Sequence, residues 1–335
     1  MKKKFLVAAL ILVVSTVAFF VIGLDGQVKR ISKSLENVTV KLKWTHQAQF
    51  AGNYLAAEKG FYAEEGIVAD FVPYSEENKT IDAVISGKAT FGITGADELL
   101  LAREKGMPLK AVAVIYKINP VCAYSLKQSG IIEPSDFIGK TVGLEKGINV
   151  EYLYSAMMNK LKIDRSAIKE VAIGFTASEL LEGKTDVSTG YVINEPQQVI
   201  EFGQDVNIIM MSDYGVNMYA DVLFATENTI TNNPNLVEGF VRATLKGWEY
   251  AIKNMEEATD VTLKYATAST KQHELNMLKA SVSLINDGES PIGWMERNKW
   301  NQVSNILLEQ KILPRAINVS DAYTMEFLNK IYNLE

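Results

Sequence analysis

From Val38 to Met211 short β-branched runs alternate with helical stretches, and this alternation constrains the fold of the chain more than any other feature. "VTVKLKW" predicts a strand, the residues up to about Glu65 a helix, "IVADFVPY" a strand and "TIDAVISGK" a helix. "ATFGIT", "LKAVAVIY", "VCAYSL", "TVGLE", "EVAIGF", "TDVSTGYV" and "VNIIMM" are further strand candidates, each followed by turn residues or a helical segment. After Asn233 the character changes: "NLVEGFVRATLKGWEYAIKN" carries apolar residues at helical spacing, and the rest reads as helix. The class is therefore α/β with a helical tail. At 335 residues, 47% of them hydrophobic, the chain can bury a large core divided between two lobes.

One internal echo supports two lobes. "ISGKATFGITGADE" (Ile85 to Glu98) and "LEGKTDVSTGYVINE" (Leu181 to Glu195) each carry a helix end, a Gly-Lys turn, a short strand and a loop closing on an acid. Strands near Val121 and Tyr219 are the natural crossovers, so residues 38–121 form the first part of lobe one, 122–219 form lobe two, and 220–335 return to lobe one. Loops at the carboxyl ends of the strands then face a cleft, where open α/β sheets bind ligands.

Three lysines precede an unbroken apolar run from Phe5 to Leu24, long enough to span a bilayer, and a polar linker, residues 25–37, follows it. "AFFVIGLDGQ" offers no clear cleavage site and no lipid-accepting cysteine, so residues 1–24 are expected to remain as a membrane anchor, with signal cleavage as the alternative. The remainder is then extracytoplasmic. The single cysteine, Cys122, excludes an internal disulfide and a thiolate metal site. A net charge of −6 with mixed signs gives no basic stripe, which argues against nucleic acid and for a small molecule.

The candidate site is assembled from cleft loops. Between Lys43 and Ala51 lie Trp44, His46, Gln47, Gln49 and Phe50, an aromatic face and several hydrogen-bonding groups just ahead of a helix start. The bland alternative is that Trp44 and Phe50 pack in the core while His46 caps a turn. "ITGADE" places Gly95 at a tight turn and Asp97 at a helix start, where capping and ligand contact are equally suited to it. "YKINPV" adds Tyr116 and Asn119, and "LEKGINVEY" adds Asn149. In "GYVINEPQQ", Tyr191, Asn194 and Glu195 stand at a strand end with Pro196 opening the next helix, and the Glu195 carboxylate can accept from an amino-bearing heterocycle or serve as a solvated cap. "SDYGVNMYAD" brings Tyr214, Asn217 and Tyr219, with Asp213 and Asp221, to the return crossover as hinge, pocket wall or both.

Enzyme signatures fail. "IGKTVG" and "EGKTD" lack the P-loop glycine, and there is no dinucleotide fingerprint, no G-x-S-x-G and no H-E-x-x-H. Two histidines, His46 and His273, cannot build a histidine-rich metal centre, and no cofactor is expected.

"LKWTHQAQFAGNYLAAEKGFYAEEGI", "GYVINEPQQ" and "DYGVNMYADVLFATENTITNNPNLVEGFVRATLKGWEYAIKN", in that order, closely resemble the ThiY-like extracytoplasmic solute-binding proteins of thiamine-precursor ABC transporters. The likeness runs from Val38 to Glu335 and includes "ILPRAINVSDAYTMEFL". It implies a two-lobed type II periplasmic-binding fold with the C-terminal helices packed on lobe one. It also implies a formylated aminomethyl-pyrimidine ligand, a permease partner and no catalysis. Relatives of this family bind other ring compounds, flavins among them, and similar domains act as sensor inputs of membrane receptors. A linked enzyme branch that makes the thiamine pyrimidine resembles the chain at "KWT" and "AEEGI", but has a histidine in the place of Phe50 and a cysteine-rich iron motif that Cys122 alone cannot reproduce.

Overall fold

The computed structural model describes residues 19–22, 28–31 and 35–334. Strands β1 (Phe19–Ile22) and β2 (Val28–Ile31) pair antiparallel, with Phe19 opposite Ile31. The apolar helix expected over residues 5–24 lies mostly outside the described residues, and its described part, β1, is extended instead. Among the described residues no helix is long and apolar enough to cross a membrane.

Two five-stranded sheets follow. In the first, β3 (Glu36–Lys41), β4 (Ile67–Val72), β5 (Phe91–Thr94), β6 (Leu109–Tyr116) and β12 (Ala220–Thr226) lie in the order β4-β3-β5-β12-β6. In the second, β7 (Val121–Leu126), β8 (Thr141–Leu144), β9 (Lys169–Ala172), β10 (Val187–Tyr191) and β11 (Val206–Met210) lie in the order β11-β7-β10-β8-β9. The wiring is the same in both. β3 is parallel to β4 and β5, as β8 is to β9 and β10, while β12 and β7 run antiparallel to both of their neighbours. The echoing segments are the equivalent central strands β5 and β10, each leading into a helix, Ala96–Glu104 or Glu195–Glu201. Every strand expected between Val38 and Met211 is present. Buried on both faces, β6 reads as a continuous apolar run broken only by Lys110.

The chain passes between the sheets twice, after β6 and before β12. The two passages hold each other. Asn119 N–H donates to Asn217 Oδ1 at 2.8 Å, and Asn217 Nδ2 donates to the Lys117 carbonyl at 3.1 Å. The buried Lys117 ammonium pairs with Asp287 and donates to the Ser290 carbonyl at 2.7 Å, which fastens this hinge to the C-terminal helices.

The helix Pro234–Lys253 opens on a proline and buries Leu236, Val237, Phe240, Val241, Leu245 and Trp248 along one stripe. It crosses the helix Ala51–Glu58 at Gly52 and Gly247, where the backbones come so close that a Cβ on Gly247 would meet the Gly52 carbonyl and one on Gly52 would enter the Trp248 ring. Overpacking such a crossing forces backbone shifts costing about 1–3 kcal/mol. Gly52→Ala and Gly247→Ala should each lower the urea midpoint accordingly, and wild-type midpoints would show that the two helices separate at little cost.

Candidate ligand-binding site

The loop after β3 meets the start of β12 through a buried carboxylate. Asp221 is 1% exposed and sits in the left-handed region at φ 51°, an uncommon conformation for a residue with a Cβ. Gln49 Nε2 donates to its Oδ1 at 2.8 Å and Oδ2 at 2.9 Å, Gln47 Nε2 donates to Gln49 Oε1 at 2.7 Å, and Lys43 Nζ lies 3.5 Å from Asp221 Oδ1. Across the cleft the Lys43 ammonium lies 5.8 Å from the centroid of the Tyr191 ring, whose hydroxyl accepts from Asn149 Nδ2 at 2.8 Å. Trp44 meets Phe175 of the second lobe edge-on, at 5.1 Å and 73°. The aromatic wall of the cleft thus comes from both lobes.

The corner after β5 supplies acid. Asp97 lies folded back over Gly95, where any Cβ would overlap its Oδ1, and Glu98 accepts from the Thr94 hydroxyl. Burial opposes the charge on Lys43, but the Tyr191 phenol and the carboxylates of Asp221, Glu98 and Asp97 outweigh it and hold the ammonium above the usual lysine range. Asp221 is raised by burial against the pull of Lys43 and Gln49. Asp97 is pushed up to about 6 by burial, with Glu98 adding to the effect and Lys43 opposing it. Three carboxylates face one ammonium here, so the lobe-one side of the cleft is rich in acceptors.

The equivalent corner in lobe two repeats the device, since a Cβ on Gly190 would lie 2.6 Å from Glu195 Oε2. Both Glu195 oxygens are engaged: Oε2 accepts from Tyr191 N–H at 2.8 Å and Oε1 from Asn194 Nδ2 at 2.6 Å. The expected free acceptor is a buried brace for the Tyr191 loop. Burial raises its carboxyl in spite of these donors.

The structure brings together Trp44, Gln47, Gln49, Gly95, Asp97, Asn149, Tyr191, Asn194 and Glu195 among the expected residues. It takes others elsewhere. His46 Nδ1 bonds the Tyr54 hydroxyl at 2.9 Å inside a stack in which Tyr54 and Tyr265 lie 4.1 Å apart. Phe50 is fully buried against Tyr54, so the core-packing alternative describes it. Tyr116 is buried with its hydroxyl on Ser281 Oγ at 2.8 Å, and Tyr219 accepts from Glu296 N–H at 3.0 Å beside Trp300, so both are core residues of lobe one. Asn119 and Asn217 tie the hinge passages, and Tyr214 ends the turn Met211–Tyr214 beside them. For Tyr116 and Tyr219 the residue type suited a site but a neighbour distant in sequence took the hydroxyl. Lys43, Glu98 and Phe175 also belong to the cleft, although no motif marks them. Lys43 carried a signal, being out of phase with Val40 and Leu42, whose side chains enter the core on the opposite face of the strand.

Among the described residues no group of three or more histidine, cysteine, aspartate or glutamate side chains could hold a metal ion. A groove of about 640 Å³ lies between Ala156, Asn159 and Lys160 of lobe two and Asn298, Asn301 and Gln302 of lobe one; Gly215 and Val216, next to Tyr214 and Asn217, line it, but Trp44, Asp97, Tyr191 and the loops that carry them do not.

Because Asp97 titrates above the ordinary aspartate value, protonation favours the folded state. That contribution is complete near about pH 4 and is lost as the pH rises through about 6. Asp97→Asn should therefore match the wild type near about pH 4 and exceed it at about pH 7 by roughly 1–3 kcal/mol. Thermal unfolding at both pH values tests this, and equal melting at neutral pH would mean that Asp97 carries no burial cost.

Residues 47–258 match the family described as NMT1/THI5 like. The chain is 28% identical over 311 residues to the riboflavin-binding protein RibY of Chloroflexus aurantiacus, covering 88% of this chain and 87% of that protein. It is 27% identical over 306 residues to the formylaminopyrimidine-binding protein of Halalkalibacterium halodurans, covering 87% and 91%. A 4-amino-5-hydroxymethyl-2-methylpyrimidine phosphate synthase of Legionella pneumophila is 24% identical over 307 residues, 89% of this chain and 94% of its own. In fold, the chain resembles the periplasmic aliphatic sulphonate-binding protein SsuA of Escherichia coli, with a TM-score of 0.68 at 14% identity over 86% of this chain and 92% of that one. With a family match across more than half its length, the chain belongs to the NMT1/THI5-like family.

Proposed function

We propose that this chain is an extracytoplasmic solute-binding protein that closes its cleft on a planar, amino-bearing heterocycle of the formylaminopyrimidine kind and presents it to an ABC permease. The observation that carries the reading is the composition of the cleft: Asp97, Glu98 and Asp221 around Lys43, walled by Trp44, Phe175 and Tyr191. A planar heterocycle has apolar faces for such walls, and amino groups on its edge are donors that match carboxylates. The formylaminopyrimidine-binding relative agrees with this class. Closure would be a population shift driven by contacts made with both lobes at once.

A flavin is the second reading. The Lys43 ammonium suits ring carbonyls, and the riboflavin-binding relative is as similar as the pyrimidine-binding one. We read the chain as a binder and not a synthase, because the enzyme branch it resembles relies on a cysteine-rich motif and Cys122 is single and buried. The apolar residues 5–24 would hold the domain at the membrane outside the cell.

Calorimetry with formylaminopyrimidine and with riboflavin separates the two ligands. Stacking with burial is worth roughly 1–3 kcal/mol and a charge-assisted hydrogen bond a similar amount, so Trp44→Ala and Asp97→Asn should each weaken binding by about tenfold or more. Wild-type affinity in both variants would move the pocket away from these loops. For the anchor, the native protein should stay with membranes through a high-salt wash, and a soluble form beginning near Asp25 would exclude it.

A further inference from the structure

His273 lies on the helix Lys271–Ile285, which packs against lobe one, yet both of its ring nitrogens face lobe two. Nδ1 is 3.1 Å from Glu201 Oε1 and 3.3 Å from Oε2, and Nε2 is 3.1 Å from Asn194 Oδ1. The orientation of the Asn194 amide is determined by its surroundings. Its Nδ2 donates to Glu195 Oε1 at 2.6 Å and its Oδ1 accepts from Gln198 Nε2 at 3.3 Å, so reversing it would set a carbonyl against a carboxylate. Two acceptors therefore flank one imidazole. Either neutral tautomer can donate to one of them only and turns a lone pair on the other, whereas the imidazolium donates to both.

We propose that His273 is a cross-lobe positioning residue whose bridge forms only when its ring is doubly protonated, so that closing the cleft takes up a proton. The bridge runs from His273 through Asn194 to Glu195 and, through Glu195 Oε2, to the N–H of Tyr191, so it holds the loop that carries a wall of the cleft. Its surroundings are rich in acceptors. From the helix Glu195–Glu201 it meets Glu201 directly and Glu195 behind Asn194, and from its own helix it has Glu274 and Asn276, the latter donating to Glu201 Oε1 at 3.3 Å. Lys271, the cation at the start of the same helix, is taken by Asp260 and Glu256 of the helix Met255–Thr262. The turn Ala48–Phe50 offers a backbone N–H to Glu274, and β6 offers Tyr116 to Ser281. The sign follows from the geometry: the closed state is favoured while the imidazole donates from both nitrogens and loses that support when the ring gives up a proton.

The inference rests on the proposed ligand only for its first readout. In calorimetry with formylaminopyrimidine, wild-type affinity should fall by about tenfold from about pH 5.5 to about pH 8, the size of one charge-assisted hydrogen bond. His273→Gln should remove that component, and His273→Arg, a donor at every pH, should restore tight binding without it. Asp97, at about 6, titrates in the same window, so the readout is the difference between wild type and His273→Gln, in both of which Asp97 remains. The second readout needs no ligand: small-angle scattering of the full chain should show compaction at the lower pH that His273→Gln lacks. If formylaminopyrimidine fails to bind at any pH, the ligand reading falls and the scattering still decides the bridge. Coincident pH profiles of wild type and His273→Gln would overturn it.

Discussion

A carboxylate buried as deeply as Asp221 must have donors, and the cleft is organised around providing them. Gln49 and Lys43 reach it from the loop after β3, so the loop is pinned to the strand on which the chain returns to lobe one. The donors in turn have fixed places. Gln47 holds Gln49, and Lys43 reaches both Asp221 and the Tyr191 ring. An unpaired charge at this depth would cost several kcal/mol, which explains why a residue at φ 51° is tolerated at the head of β12.

The two lobes use one construction twice. Each sheet has four strands running one way and one running against them, and each central strand ends at a corner where a glycine leaves room for a carboxylate, Gly95 for Asp97 and Gly190 for Glu195. The copies have diverged in use. Asp97 keeps a charge near the Lys43 ammonium, whereas both oxygens of Glu195 go to its own loop. The same corner thus gives lobe one an electrostatic role in the cleft and lobe two a rigid support for Tyr191. The hinge differs again, since its asparagines satisfy backbone groups that the passage between sheets leaves without strand partners.

Periodicity made the strands and the helical tail legible, because burying a strand on both faces demands an unbroken apolar run and burying one side of a helix demands a stripe. The echo made the twofold construction legible. Cleft residues were legible where chemistry and local position agreed: Trp44 and Asp97 stand beside strand ends, and strand ends face the cleft. His46, Phe50, Tyr116 and Tyr219 show the limit. Each is of a type suited to a ligand, yet Phe50 packs on Tyr54 in the core, and the other three meet partners far along the chain, Tyr265 for the His46 stack, Ser281 for Tyr116 and Glu296 for Tyr219.

The sequence by itself determined the alternation of strands and helices, the repeat of the two lobes and the lack of residues for a histidine-rich or thiolate metal centre or an internal disulfide, because these depend on local periodicity and on counts. Tertiary structure alone decided that Lys43 would face three carboxylates, that Glu195 would brace its own loop, and that a histidine near the end of the chain would bridge to Asn194 in the other lobe. A side chain's hydrogen-bonding capacity is written in its type, but which partner takes it depends on which groups the closed sheets bring within about 3 Å of it.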